Sequence, residues 1–276
     1  MKRRKSRWVA GSIAIVLSVV VFLVPFAFII LTASKSATEA SQFAFTWPTQ
    51  FMLWDNVLEV LQTRDFLILR AFINSTILTV SSVAIMVVLA AMMGYVLQRR
   101  RGAWTTAATY MVLAGLIVPP AVVPTVWVLQ SIGLFKQMSG MILIEVTFGL
   151  SFCVLLFRAF VATIPRELDE AATVDGAGPL RVFFLVVLPL LKPVVVTVIV
   201  VQSVAVFNDF SGPLYFLPGD ENATVQATLY NFQSQTLSQW NLLFTDVLLI
   251  TVPPLVLYIF FNRQIVEGMV SGAVKG

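Results

Sequence analysis

Histidine is absent from this chain, cysteine occurs once, and only 12% of the 276 residues are charged. Each shortage removes a class of function. Without histidine there is no His-based zinc site, and the commonest general base is missing. Cys153 stands alone inside an apolar run, so neither a disulfide framework nor a thiolate metal site is available. None of the six lysines lies in a GxxxxGK[ST] phosphate-cradling loop, so ATP hydrolysis is not expected of this polypeptide. The basic residues fall between apolar stretches rather than along one stripe, which argues against nucleic acid as a partner. A hydrolytic enzyme of ordinary type is disfavoured, and no catalytic or metal-ligating set is expected.

What the chain has instead is apolar length. Hydrophobic residues make up 58% of it, and the mean hydropathy is +0.90. A soluble domain carries about a quarter charged residues, so this composition belongs to the membrane class. Following MKRRKSR, the run from Trp8 to Ser34 has no charge and exceeds a signal-peptide core of about 7–15 residues. It reads as an uncleaved span over 8–34. Five further runs reach the roughly 20 residues a bilayer requires, at 71–97, 104–129, 138–161, 186–210 and 242–261. They are apolar on all sides, unlike the alternating strands of a membrane barrel. The expected fold class is an all-α membrane protein of six transmembrane helices forming one domain over 1–276.

Lysine and arginine orient such a bundle. With a cytoplasmic amino terminus, 14 of the 18 basic residues fall inside, among them Arg99, Arg100, Arg101, Arg158, Arg166 and Arg181. Only Lys35, Arg64, Arg70 and Lys136 fall outside. Both termini are therefore expected in the cytoplasm. Trp54, Val57, Leu58 and Leu61 recur at helical spacing in the outer segment 35–70, which suggests an amphipathic helix along the outer interface.

The connection at 164–189, between spans four and five, is the most informative segment. Pro165 suits the start of a helix, and Glu167, Asp169 and Glu170 place negative charge where the helix dipole favours it. Ala171 and Ala172 keep one surface small. Asp175-Gly176 supplies a stop, because glycine tolerates the left-handed conformation that ends helices. A short small-faced helix protruding between two spans suits docking into a cleft on another protein. A surface loop that satisfies only its own helix ends fits the residues equally well.

The spacing adds more. Glu170-Ala171-Ala172, Gly176, then Val186, Leu188 and Pro189 resemble the EAA loop of ABC importer permeases, EAA–x3–G–x9–[I/V]–x–L–P, with Ile164-Pro165 ahead of it. The tail Arg263–Gly276, the Asn208-Asp209-Phe210 cluster and Asn231-Phe232-Gln233 are similar to the carbohydrate permeases of the maltose-system type. Phe207 stands where that family often has tryptophan, and Val186 replaces isoleucine. The resemblance implies a multi-pass inner-membrane permease for a sugar or oligosaccharide, working by alternating access. Glu170, Ala171, Ala172, Asp175, Gly176, Leu188 and Pro189 would be ATPase-coupling residues. ATP and magnesium would belong to a separate ATP-binding subunit dimer. A single EAA loop against two ATPase grooves implies a second, related permease subunit, and an extracytoplasmic solute-binding protein would deliver solute to the outer face, with 211–240 a candidate contact.

Within span five, Gln202, Ser203, Asn208 and Asp209 are candidates for lining a translocation route. Gln202 and Asp209 are seven apart, which puts them on one helix face with Ala205 and Val206 between them. The alternative is interhelical hydrogen bonding for Gln202 and Ser203, and simple hydration for Asp209. Glu145 and Asp246, near the outer ends of spans four and six, fit either the route or the interface. Trp127 and Tyr215 fit sugar stacking or the interfacial belt. Other readings of the whole chain are an importer for glycerol phosphate or a polyamine, and an ion-coupled secondary transporter. The latter is disfavoured by the absence of an internal repeat.

Overall fold

The computed structural model describes residues 2–232 and 239–273, with side chains at 17–230, 232 and 239–261. Every regular element among these residues is helical. The order is α1 (Lys2–Ala33), α2 (Ala37–Ala40), α3 (Leu53–Arg99), α4 (Ala103–Ile117), α5 (Val122–Ser131), α6 (Met138–Val161) and α7 (Glu167–Val174). There follow α8 (Pro179–Val182), a π-helical turn (Phe183–Val187), α9 (Leu188–Leu190), α10 (Lys192–Phe207), α11 (Ser211–Phe216), α12 (Val225–Thr228), a 3₁₀ turn (Leu229–Phe232) and α13 (Trp240–Ala273). Among the described residues three helices are long and apolar enough to cross a membrane, or up to five if each of two bent pairs counts as one span.

The bent pairs correct two expected spans. The stretch expected as one helix at 104–129 is α4 and α5, meeting at 120°. Pro119 and Pro120 lack the amide hydrogens that would carry a helix through. The fifteen-residue α4 is only about 22 Å long, short of the roughly 30 Å hydrocarbon core. The stretch expected at 186–210 begins later, because the helical run Pro179–Leu190 meets α10 at 76°. Pro189 and Pro193 explain the break: each denies a hydrogen bond to a carbonyl about one turn upstream. The π-helical turn just ahead of Pro189 is the widened geometry such a residue favours.

The chain divides into two compact units. The first comprises residues up to Arg70 together with Ala227–Val252. In it the end of α1 is closed by side chains. Asn56 donates to the carbonyls of Ala33 at 2.8 Å and Lys35 at 2.9 Å, satisfying orphan acceptors at the helix terminus. Asn241 donates in turn to Asn56 at 2.9 Å. Lys35 is 1% exposed, and its ammonium donates to the Ala44 carbonyl at 2.6 Å and to Thr46 Oγ1 at 3.1 Å. Asp246 is fully buried and accepts from Thr228 at 2.9 Å. The expected amphipathic helix is present at the start of α3, which inverts the expected contact: Asn56 and Val60 are its buried face, while Trp54 and Leu58 are open. It does not run smoothly into 71–97, because Arg64, Asp65 and Phe66 take positive φ of 49°, 52° and 60°.

The second unit holds Ala71–Gln226 and the chain from Pro253 onward. At its centre is α6, packed against α4 and α10, with Cys153, Val154 and Phe157 fully enclosed. In lipid the helices gain nothing from leaving water, so association rests on close van der Waals fit. Small residues make that fit here. A Cβ on Gly149 would stand 2.5 Å from Met86 Sδ and 3.2 Å from Gln202 Oε1. One on Gly94 would stand 2.8 Å from the Phe157 Cβ and the Arg158 amide nitrogen. The two glycines let α3, α6 and α10 approach backbone to backbone.

Candidate functional site: a docking helix and a polar cavity

The EAA segment forms α7 and the turn after it. Gly176 takes φ +84°, the left-handed conformation that glycine adopts without steric cost. Its amide donates to the Thr173 carbonyl at 3.0 Å, and the Ala177 amide to the Ala172 carbonyl at 3.0 Å, so the last turn is closed by backbone alone. Glu170, Ala171 and Asp175 are exposed, whereas Ala172 is half-buried against the core. Val174 is 86% exposed, and Leu168 and Leu180 also face outward. Leu188 and Pro189 lie in α9, beyond the π-helical turn, Leu188 half-buried and Pro189 exposed.

What fixes α7 to the bundle is a residue pair that sequence spacing does not reveal. The Arg99 guanidinium, at the end of α3, lies 2.7 Å from the Asp169 carboxylate. It also donates to the Ile164 carbonyl at 3.0 Å, and Tyr95 donates its hydroxyl to Asp169 at 3.3 Å. Asp169 therefore has a second role besides favouring the helix dipole: it anchors the root of the protruding helix. Glu170, its neighbour, points away and stays exposed.

Away from α7, a cavity of about 580 Å³ opens beside α6, α10 and α11. Gln202, Asn208 and Asp209 line it. Ser203 does not; it is buried in the helix packing at 9% exposure. Val206 also turns into the core, while Ala205 lines the cavity. Asp209 is not on the helix face with Gln202, because α10 ends at Phe207 and Asn208 is its cap. The turn brings Asp209 to the same wall by another path. Its carboxylate accepts from the amides of Ser211 at 3.1 Å and Gly212 at 3.0 Å, the first turn of α11. Asn208 accepts from Gln226 at 3.1 Å. Phe148, Phe152 and Tyr215 supply aromatic surface, and the Glu145 carboxyl faces that of Asp209 across the cavity. No lysine or arginine lines it, and Trp127 stands elsewhere. Among the described residues no group of three or more His, Cys, Asp or Glu side chains could hold a metal ion.

Residues 68–270 match the model of the family described as binding-protein-dependent transport system inner membrane component. The chain belongs to this family. It is an inner-membrane transport permease, not an enzyme. It is 30% identical over 210 residues to the melibiose/raffinose/stachyose import permease protein MelC of Bacillus subtilis, covering 75% of this chain and 76% of the relative. With the diacetylchitobiose uptake system permease protein NgcG of Streptomyces coelicolor, identity is 29% over 276 residues, covering 99% and 90%. The permease also shares its fold with a chain of a bacterial ABC transporter involved in the import of the acidic polysaccharide alginate, at a TM-score of 0.83 and 18% identity over 95% and 98% of the two chains.

Two parts of the expected resemblance fall outside the described residues of the permease: the side chains of Arg263–Gly276, and most of Asn231-Phe232-Gln233. Two residues of its sites escaped the sequence analysis as site members. Arg99 read as one more positive charge in a basic cluster, and no local pattern joins it to Asp169. Glu145 carried a usable signal, a carboxyl inside an apolar run, but its pairing with Asp209 depends on how α6 packs against α10.

Proposed function

We propose that this permease moves an uncharged sugar or oligosaccharide, with the cavity beside α10 forming part of its path. The observation that carries this reading is the cavity's lining. Gln202 and Asn208 offer amide donors and acceptors to replace the hydration of hydroxyl groups, whose unpaired burial costs several kcal/mol. Phe148, Phe152 and Tyr215 offer flat apolar surface to sugar rings. Two carboxyls and no cation make the same space hostile to a phosphate or a uronate. The sugar-importing relatives MelC and NgcG support the substrate class.

In this reading the chain crosses the membrane six times with both termini in the cytoplasm, α1 supplying the first span. α7 docks on one ATP-binding subunit, which holds ATP and magnesium. A second, related permease subunit offers the equivalent helix to the other, and an extracytoplasmic binding protein delivers solute to the opposite face. The test is uptake by the reconstituted complex with its own binding protein, over neutral oligosaccharides and their uronate counterparts. Neutral uptake with uronates rejected is expected. Uptake of glycerol phosphate instead would remove the substrate assignment.

A second reading has one observation in its favour: the facing carboxyls of Glu145 and Asp209 would also suit a cationic solute such as a polyamine. Competition of sugar uptake by spermidine separates the two.

A further inference from the structure

A second cavity, of about 400 Å³, lies at the α7 end of the second unit and takes no part in the path described above. Arg100, Arg101, Arg158 and Arg166 line it, together with the hydroxyl-bearing Thr105 and Thr109. No carboxylate lines it. The only ion pair found nearby, that of Arg99 with Asp169, leaves all four of these arginines without an acidic partner among the described residues.

Two of the four are held in place by neutral groups. Arg158 donates to Gln98 Oε1 at 3.4 Å and to Thr109 Oγ1 at 3.3 Å. Arg166 donates to the Gln98 carbonyl at 3.2 Å. Arg100 and Arg101 make no side-chain hydrogen bond and are exposed. Four guanidinium groups around one polar hollow repel one another unless an anion sits between them. Their forked donors match the oxygens of a phosphate group. A basic surface that merely orients the chain in the membrane needs charge, but it needs no concave site. Trp104, 89% exposed beside the hollow, is the kind of residue that sits at headgroup depth.

We propose that this cavity is a binding site for a phosphate-bearing anion, either the headgroup of an anionic phospholipid or a soluble phosphate. Arg100 and Arg101 close on the ligand, and Arg158 and Arg166 form its preset floor. Arg166 directly precedes α7, so an occupied site stiffens the root of that helix. The inference does not depend on which solute the permease carries.

The test uses the assembled complex in nanodiscs and follows phenylglyoxal modification of Arg100 and Arg101 by peptide mass spectrometry. In purely zwitterionic lipid both should react. Protection on adding phosphatidylglycerol to the bilayer assigns the site to a lipid headgroup, and protection by inorganic phosphate in zwitterionic lipid assigns it to a soluble anion. Protection by neither overturns the proposal. Native mass spectrometry gives the second measurement. The R100Q/R101Q variant should lose retained anion on the order of tenfold, and R100K/R101K should lose less. Arg181 is exposed and lies outside the cavity. If Arg181→Gln lowered retention as much as the cavity variant, a diffuse basic field would account for the binding and the site would be refuted.

Discussion

Arg99 and Asp169, seventy positions apart in the chain, meet at 2.7 Å and fasten the root of the protruding helix to the end of α3. Both side chains are largely shielded, at 11% and 16% exposure. Force arriving at α7 therefore has a stiff route into α3 as well as the chain path through Pro179 to α10.

Breaking that pair should loosen coupling before it prevents assembly. Arg99→Gln and Asp169→Asn are each expected to cost the complex about 2 kcal/mol, since a shielded charge loses its partner. Solute-stimulated ATPase should fall more than the amount of assembled complex. Stimulation at the wild-type level in both variants, with thermal stability unchanged, would leave the pair without a mechanical role.

Gly176 isolates backbone conformation from sterics. A Cβ there would meet nothing within 4 Å, so only its φ of +84° opposes substitution. Gly176→Val should cost roughly 1–2 kcal/mol or more at the end of α7. Gly176→Asn should be milder, because asparagine enters this region more readily. Coupled ATPase activity should rank wild type, Asn, Val. Equal activity in all three would mean that the turn is not needed for docking.

The cavity assignment separates transport from folding at Asp209. Its carboxylate also accepts hydrogen bonds from the start of α11, so Asp209→Ala is expected to lower stability by about 1 kcal/mol. Asp209→Asn keeps an acceptor and removes the charge. It should leave assembly intact while changing uptake per complex or admitting uronates, and Glu145→Gln should shift preference in the same direction. Gln202→Ala should reduce uptake of neutral sugar. Unchanged uptake and preference across these variants would place the path in another subunit.

Gly149 tests the close packing directly. Its alanine variant must displace Met86 or Gln202, so a stability loss of roughly 1–3 kcal/mol is expected. The melting temperature of the complex is the measurement, and no change would show that the neighbours yield freely.

The six-span topology predicts that cysteine placed at Glu221 is labelled from outside and cysteine at Asp175 only from inside. Cys153 is buried and needs no removal beforehand. Labelling of both from one side would end the scheme.

Much of this architecture was legible because lipid simplifies the code. Long apolar runs must be helices, and α6 lies where its run lies, at Met138–Val161. The stop at Gly176 was legible too, since a local φ requirement leaves a local residue. Prolines at 119, 120 and 189 were visible as interruptions, but a bend of 120° or 76° is set by what the two halves pack against. Gln202 and Asp209 were rightly brought to one wall for an incorrect reason: helical spacing suggested a shared face, while a turn past Phe207 delivers the second residue. Pairings such as Arg99 with Asp169 leave no periodic trace at all.

The π-helical turn at Phe183–Val187 also fixes a rotational phase. Such a turn amounts to one residue more than an α-helix would use, and each residue of helix is about 100° of rotation. The helical run between α7 and the bend at Leu191 is thus wound a residue further than regular geometry would have it. Deleting the exposed Leu185 would let the turn relax to α-helix, keep every downstream side chain, and present α10 through a different azimuth. The wall that now carries Gln202 would then be dialled out of the cavity, although no residue of that wall had been touched.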